Sequence, residues 1–158
     1  MFRCMIQKTT FELEPETREK LLAYLNNCKN KGFNIGLYQL DITDMEAIFL
    51  PVLEKEFGLV TRFDRVWGHF TTKGGERPFH NHAETTMVYY LDIPEGDVGM
   101  LVYEGAGEII PKTGDLYIFP PRLRHKITAN KTDKTRWAIA SSCSSEDVLF
   151  KELVKKNS

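Results

Sequence analysis

The sequence predicts a mainly β protein, a sandwich or closed barrel with a helical segment before it and a short helix after it. Three observations carry that expectation. From Arg62 onward, short runs of apolar, β-branched and aromatic residues alternate with turn residues at regular spacing. Upstream of that point the apolar residues recur at helical spacing instead. The 158 residues, 42% hydrophobic and 27% charged, suffice for one sizeable core and do not read as a disordered chain.

Residues 1–60 are expected to be mostly helical support, 61–143 the β core and 144–158 a C-terminal helix, all within a single domain, 1–158. A short β segment over 2–6 precedes the first helix. Glu14-Pro15-Glu16-Thr17 opens that helix, because proline at the first position gives up only an N–H that would be unpaired anyway. Leu21, Leu22 and Leu25 mark its apolar face, and Gly32 is a natural stop. Residues 35–42 read equally well as helix, strand or loop. Asp44 is a candidate cap for a second helix, with Ile48, Val52, Leu53 and Phe57 on one face and Gly58 at its end. Pro51 inside it is expected to kink or split it. Strands are then expected at 63–71, 85–93, 99–103, 108–110, 116–119, 125–129 and 135–141, separated by Gly, Asp and Asn turns.

The formal net charge of −1 gives no broad basic footprint of the kind that grips nucleic acid non-specifically, while leaving a local patch open. Cys4, Cys28 and Cys143 are odd in number and lack CxxC spacing, which reads as reduced thiols in a cytoplasmic protein. No apolar run is long enough to span a bilayer, so no membrane association is expected. A homodimer is compatible with the sequence.

The chain has four histidines, His69, His80, His82 and His125. His80-Asn81-His82 stands directly before the strongest strand signal, and residues two apart on a strand share a face. His125 follows Pro120-Pro121 at the start of another strand, and a rolled sheet can bring it opposite the pair. Three ligands on one side of a metal leave positions free for substrate and dioxygen, as non-haem iron chemistry requires. Glu84 shares the strand face of His82, so two ligand sets stand open. One is His80, His82 and His125; the other takes Glu84 in place of His80. His69, alone on its strand, reads as a packed or exposed residue and not a ligand. Arg136 lies in an otherwise apolar strand and needs an anionic partner, since a buried unpaired charge is costly. Arg77, Lys73, Arg122 and Arg124 cluster near the expected metal entrance and read first as solvated loop charges.

Arg77-Pro78-Phe79-His80-Asn81-His82, Met87-Val88-Tyr89-Tyr90-Leu91, Gly114-Asp115-Leu116-Tyr117-Ile118-Phe119-Pro120, His125 and Arg136 together resemble the cupin superfamily. Within it, the chain is most similar to small Fe(II)/2-oxoglutarate-dependent oxygenases, over about half its length. The resemblance implies a double-stranded β-helix, or jelly roll. It also implies Fe(II) as cofactor, 2-oxoglutarate as co-substrate held by Arg136 together with Tyr89, and hydroxylation of a further substrate. The pattern departs from that family at His80-Asn81-His82, where H-x-D/E is usual, and at Ala138, where a serine often shares the co-substrate carboxylate. Two other readings therefore stand beside it: a cupin dioxygenase or isomerase with three histidines and no 2-oxoglutarate, and a non-catalytic jelly-roll binding protein.

Overall fold

The computed structural model describes residues 6–29, 32–105 and 107–144. Two helices and ten strands occur in the order β1 (Gln7–Thr10), α1 (Pro15–Cys28), β2 (Ile35–Gln39), α2 (Ile42–Phe57), β3 (Phe63–Thr71), β4 (Arg77–His80), β5 (Thr86–Asp92), β6 (Leu101–Tyr103), β7 (Gly107–Ile109), β8 (Asp115–Phe119), β9 (His125–Ile127) and β10 (Arg136–Cys143). The expected C-terminal helix falls outside the described residues, as does most of the β segment expected at 2–6. Among the described residues no helix is long and apolar enough to cross a membrane.

The helices obey local rules. Pro15 opens α1 at its first position. The cap of α2 is Asp41 and not Asp44: the Asp41 carboxylate accepts the Asp44 backbone N–H at 2.9 Å, three residues into the helix, the usual reach of a capping side chain. Gly58 ends α2 in the left-handed conformation, with φ 66°. Pro51 does not split the helix, which runs unbroken from Ile42 to Phe57. Pro51 and Ala47, whose carbonyl loses its partner, are both exposed, so water can take up that carbonyl. The opposite face, Met45, Phe49 and Leu53, is buried at i+4 spacing.

The strands form a six-stranded sheet, in the order β1-β8-β5-β10-β3-β2, and a four-stranded sheet, β4-β9-β6-β7; the pairs are antiparallel throughout. The ambiguous stretch at 35–42 is the edge strand β2 followed by the start of α2. His80 belongs to a strand of its own, β4, and not to the start of β5. Pro78 hides β4 from a pattern reading, because proline cannot donate to a ladder and is tolerated only at an edge, which is where β4 lies.

Each face of the large sheet has its own core. Val66, Phe70, Met87, Tyr89, Leu91, Leu116, Trp137 and Ile139 pack with Leu25, Phe49 and Leu53 of the helices. Gly68 permits this approach, since a Cβ there would meet Leu25 Cδ2 at 2.5 Å. Tyr90, Phe119 and Ala138 face the other way, toward Leu101 and Ile109 of the small sheet. Between β3 and β4 the turn packs so closely on the segment before β2 that a Cβ on Gly75 would collide with the Asn34 backbone carbonyl. Gly74 N–H donates to Asn130 O at 2.7 Å and Asn130 N–H to Gly75 O at 3.0 Å, tying this turn to the segment after β9. The turn thus sets where β4, and with it His80, begins.

Candidate functional site

The two sheets enclose a cavity of about 50 Å³ at the inner face of the large sheet. Trp67, His69, Thr86, Val88, Tyr90, Phe119, Arg136, Ala138 and Ala140 line it from the large sheet; Arg77, His80, Leu101, His125 and Ile127 line it from the small one, with His82 just beyond β4. No aspartate or glutamate is among them.

Three of the four histidines converge. One ring nitrogen from each of His80, His82 and His125 lies within 4.8 Å of the others. Ring centroids are 4.3 Å apart for His80 and His125, 5.1 Å for His80 and His82, and 5.3 Å for His82 and His125. The closest pair follows from register, because His80 of β4 stands directly opposite His125 of β9. Both rings are oriented in the same local way. His80 Nδ1 donates to Pro78 O at 2.9 Å, and His125 Nδ1 donates to Leu123 O at 2.8 Å. A carbonyl on Nδ1 fixes the proton there and leaves the Nε2 lone pair for a metal. Phe119 stacks on the His125 ring at 5.7 Å with the planes 9° apart. Arg122, at φ 66°, gives its backbone N–H to His82 O at 2.7 Å and so ties the turn before β9 to the His82 loop.

Burial holds all three imidazoles below the ordinary histidine pKa. His82 is pulled down to about 4, by burial first and then by His125, His80, Arg77 and Arg65. His69, buried on β3, is pulled down to about 3 by burial, Arg136, Arg77 and His80. At neutral pH these rings carry no charge, the form a metal takes. In the unfolded chain the same groups titrate near 6.5. Between the folded and unfolded values the unfolded chain binds more protons, so the metal-free protein should lose stability as pH falls from about 6.5 toward 4. Urea-unfolding midpoints measured between pH 7.5 and pH 5, above the range where most carboxylates titrate, check this; a midpoint that does not fall over that interval contradicts it.

Arg136 lies in the same cavity, 2% exposed, with its guanidinium 5.3 Å from the Tyr90 ring centroid. Burial lowers its pKa and Tyr90 works against that shift. Among the described residues no carboxylate pairs with it, and its Nε has no hydrogen-bond partner.

Two sequence expectations need correction. Tyr89, expected at the co-substrate, faces the helices: its hydroxyl donates to Phe11 O at 2.8 Å and its ring packs on Phe49. Alternation along β5 puts Tyr90 in the cavity instead. Glu84 sits in the bend before β5, outside both the cavity lining and the converging group, because His80 and His82 belong to β4 and its exit, where Glu84 shares no face with them. His69, expected to be a packed or exposed residue and not a ligand, is buried outside the converging group and lines the cavity; its place opposite Ala138 on β10 is a matter of register, which no local pattern signals. Of the basic cluster, Arg77 lines the cavity, while Lys73 pairs with Asp133 and Arg124 with Glu104 at the surface.

The residues fit a divalent metal ion and an anionic co-ligand on two counts: three neutral nitrogen donors converge, and a buried guanidinium in the same cavity has an orphaned N–H.

No protein-family model matches the chain, and no curated protein sequence matches it. Solved structures do. An oxidoreductase of the 2OG-Fe(II) oxygenase family from Burkholderia pseudomallei matches with a TM-score of 0.67 at 14% identity, over 85% of this chain and 81% of that one. A Pseudomonas putida prolyl-4-hydroxylase matches with a TM-score of 0.64 at 13% identity, over 88% of this chain and 92% of that one. HygX from Streptomyces hygroscopicus, solved with nickel, 2-oxoglutarate and hygromycin B bound, matches with a TM-score of 0.67 at 12% identity, over 88% and 82%. Over most of its length, the chain therefore has the double-stranded β-helix fold seen in the 2-oxoglutarate–Fe(II) oxygenases.

Proposed function

We propose that the protein is a non-haem Fe(II)/2-oxoglutarate-dependent oxygenase that hydroxylates a further substrate. The observation that carries this reading is the pairing, in one cavity, of three convergent imidazoles with a buried guanidinium that has no carboxylate partner among the described residues. HygX, which has the same fold, binds nickel and 2-oxoglutarate, and this supports the reading.

His80, His82 and His125 would hold the iron, His80 and His125 through Nε2, their Nδ1–H···O=C contacts keeping those two rings from turning away. Three neutral ligands leave the metal's charge uncompensated, and Arg136 adds another positive charge nearby. The cavity therefore favours a dianion, and 2-oxoglutarate is one. Arg136 would take its far carboxylate with a planar fork suited to two oxygens. Iron(II) with 2-oxoglutarate, when bound, supplies the oxidising chemistry: dioxygen is consumed, 2-oxoglutarate becomes succinate and carbon dioxide, and a C–H bond is hydroxylated. Leu101, Phe119, Ile127 and Val88, which line the cavity, would keep bulk water from ligands bound there.

A second reading, a three-histidine dioxygenase without 2-oxoglutarate, is favoured by the absence of Glu84 from the converging group. Anaerobic titration of the iron-loaded protein with 2-oxoglutarate, followed by admission of air with ascorbate present, separates the two. The oxygenase reading expects saturable 2-oxoglutarate binding and succinate formation; iron-loaded protein that fails to bind 2-oxoglutarate removes it in favour of the second.

A further inference from the structure

We propose that His69 is a binding residue of this cavity, its Nε2 hydrogen-bonding the same anionic group that Arg136 holds. The proposal rests on the oxygenase reading and adds to it a second side chain, from a different strand, that recognises the far carboxylate of 2-oxoglutarate.

Among the described residues four buried side-chain polar atoms have no hydrogen-bond partner: His69 Nε2, Thr71 Oγ1, Arg136 Nε and Ser141 Oγ. Three of them share one corner of the fold. On β3 and β10, Thr71 stands opposite Arg136 and His69 stands opposite Ala138. Alternation puts His69, Thr71, Arg136 and Ala138 on one face, while Ser141 points to the other. A single buried orphan is costly, and native structures contain few. Of the three, His69 and Arg136 line the cavity, and two unpartnered nitrogens there ask for one explanation, a ligand with several acceptor atoms.

The cavity's own residues do not provide it, because among the described residues no carboxylate lines the cavity. A ligand carboxylate offers two oxygens and about four lone-pair sites, enough for a guanidinium and an imidazole together. His69 suits the second place. His69 is 6% exposed and lines the cavity, and the Ala138 methyl opposite leaves room beside it. It lies outside the group of three that converges on the metal position. Being neutral, it can donate an Nε2–H to an anion without adding a second buried charge beside Arg136.

The test compares two 2-oxo acids that differ at the far end: 2-oxoglutarate, and pyruvate, which lacks the second carboxylate. Their dissociation constants are measured anaerobically on iron-loaded wild type, His69→Leu and His69→Gln, with iron stoichiometry and circular dichroism as checks. Leucine removes the donor, and glutamine keeps an N–H at similar reach. His69→Leu is expected to weaken 2-oxoglutarate roughly tenfold to a hundredfold, the usual effect of losing a hydrogen bond to a charged group, and to leave pyruvate unchanged. His69→Gln should recover part of the loss. Unchanged 2-oxoglutarate affinity in His69→Leu, or equal weakening of both acids, overturns the assignment. Wild type that does not bind 2-oxoglutarate overturns the oxygenase reading first and the role of His69 with it. Should His69→Leu fold poorly, nitrogen-15 NMR of zinc-loaded wild type decides: His69 Nε2 should shift on adding 2-oxoglutarate and not on adding pyruvate, and no shift with 2-oxoglutarate refutes the contact.

Discussion

Replacing His125 with alanine is expected to leave a folded protein that no longer retains iron. His125 reaches the cavity from β9, opposite His80, and the other two candidate ligands come from β4 and the loop after it. Without it, one side of the site has no donor. Loss of an orienting partner around a metal typically costs ten- to a hundredfold in affinity, and loss of a ligand from a set of three should exceed about a hundredfold. The fold should survive, because β9 remains paired with both β4 and β6. Elemental analysis after anaerobic reconstitution and desalting, with circular dichroism for the fold, provides the measurement. Glu84→Ala serves as the counterpart and should keep one iron per chain, since Glu84 lies outside the converging group. One equivalent of iron retained in His125→Ala would end its assignment as a ligand.

Arg136→Met should move stability and ligand affinity in opposite directions. Arg136 is 2% exposed, has no ion-pair partner among the described residues and carries an unpartnered Nε. An apolar side chain of similar length removes that cost, so the melting temperature should rise by the equivalent of about 1–3 kcal/mol. Removing one partner of a buried charge pair usually costs about 2–5 kcal/mol, so 2-oxoglutarate affinity should fall at least about thirtyfold. Iron stoichiometry should not change. A merely structural arginine would behave the other way. If the variant melts lower and binds 2-oxoglutarate as wild type does, Arg136 is holding the fold together and not a ligand.

Much of this was legible in the sequence for identifiable reasons. The turn clusters between short apolar runs located β3, β5, β8 and β10 to within two residues. Pro15 and Gly58 marked the start of α1 and the end of α2, because each suits a backbone position that most residues occupy poorly. His80, His82, His125 and Arg136 stood out as polar residues in or beside apolar segments, and all four line one cavity. Less legible were β2, a half-exposed edge strand of weak alternation, and β4, disguised by Pro78.

Periodicity by itself determined which residues share a face: Tyr90 with Val88 on β5, Arg136 with Ala138 on β10, His69 with Thr71 on β3. Which of the two faces looks inward was decided only when α1 and α2 covered one side of the large sheet, which sent Tyr89 to the helices and Tyr90 to the cavity. Strand register, a long-range property, then set His80 against His125, left Glu84 outside, and buried His69 beside the arginine. Alternation is a local consequence of backbone geometry, whereas the choice of partner strand depends on contacts between residues dozens of positions apart.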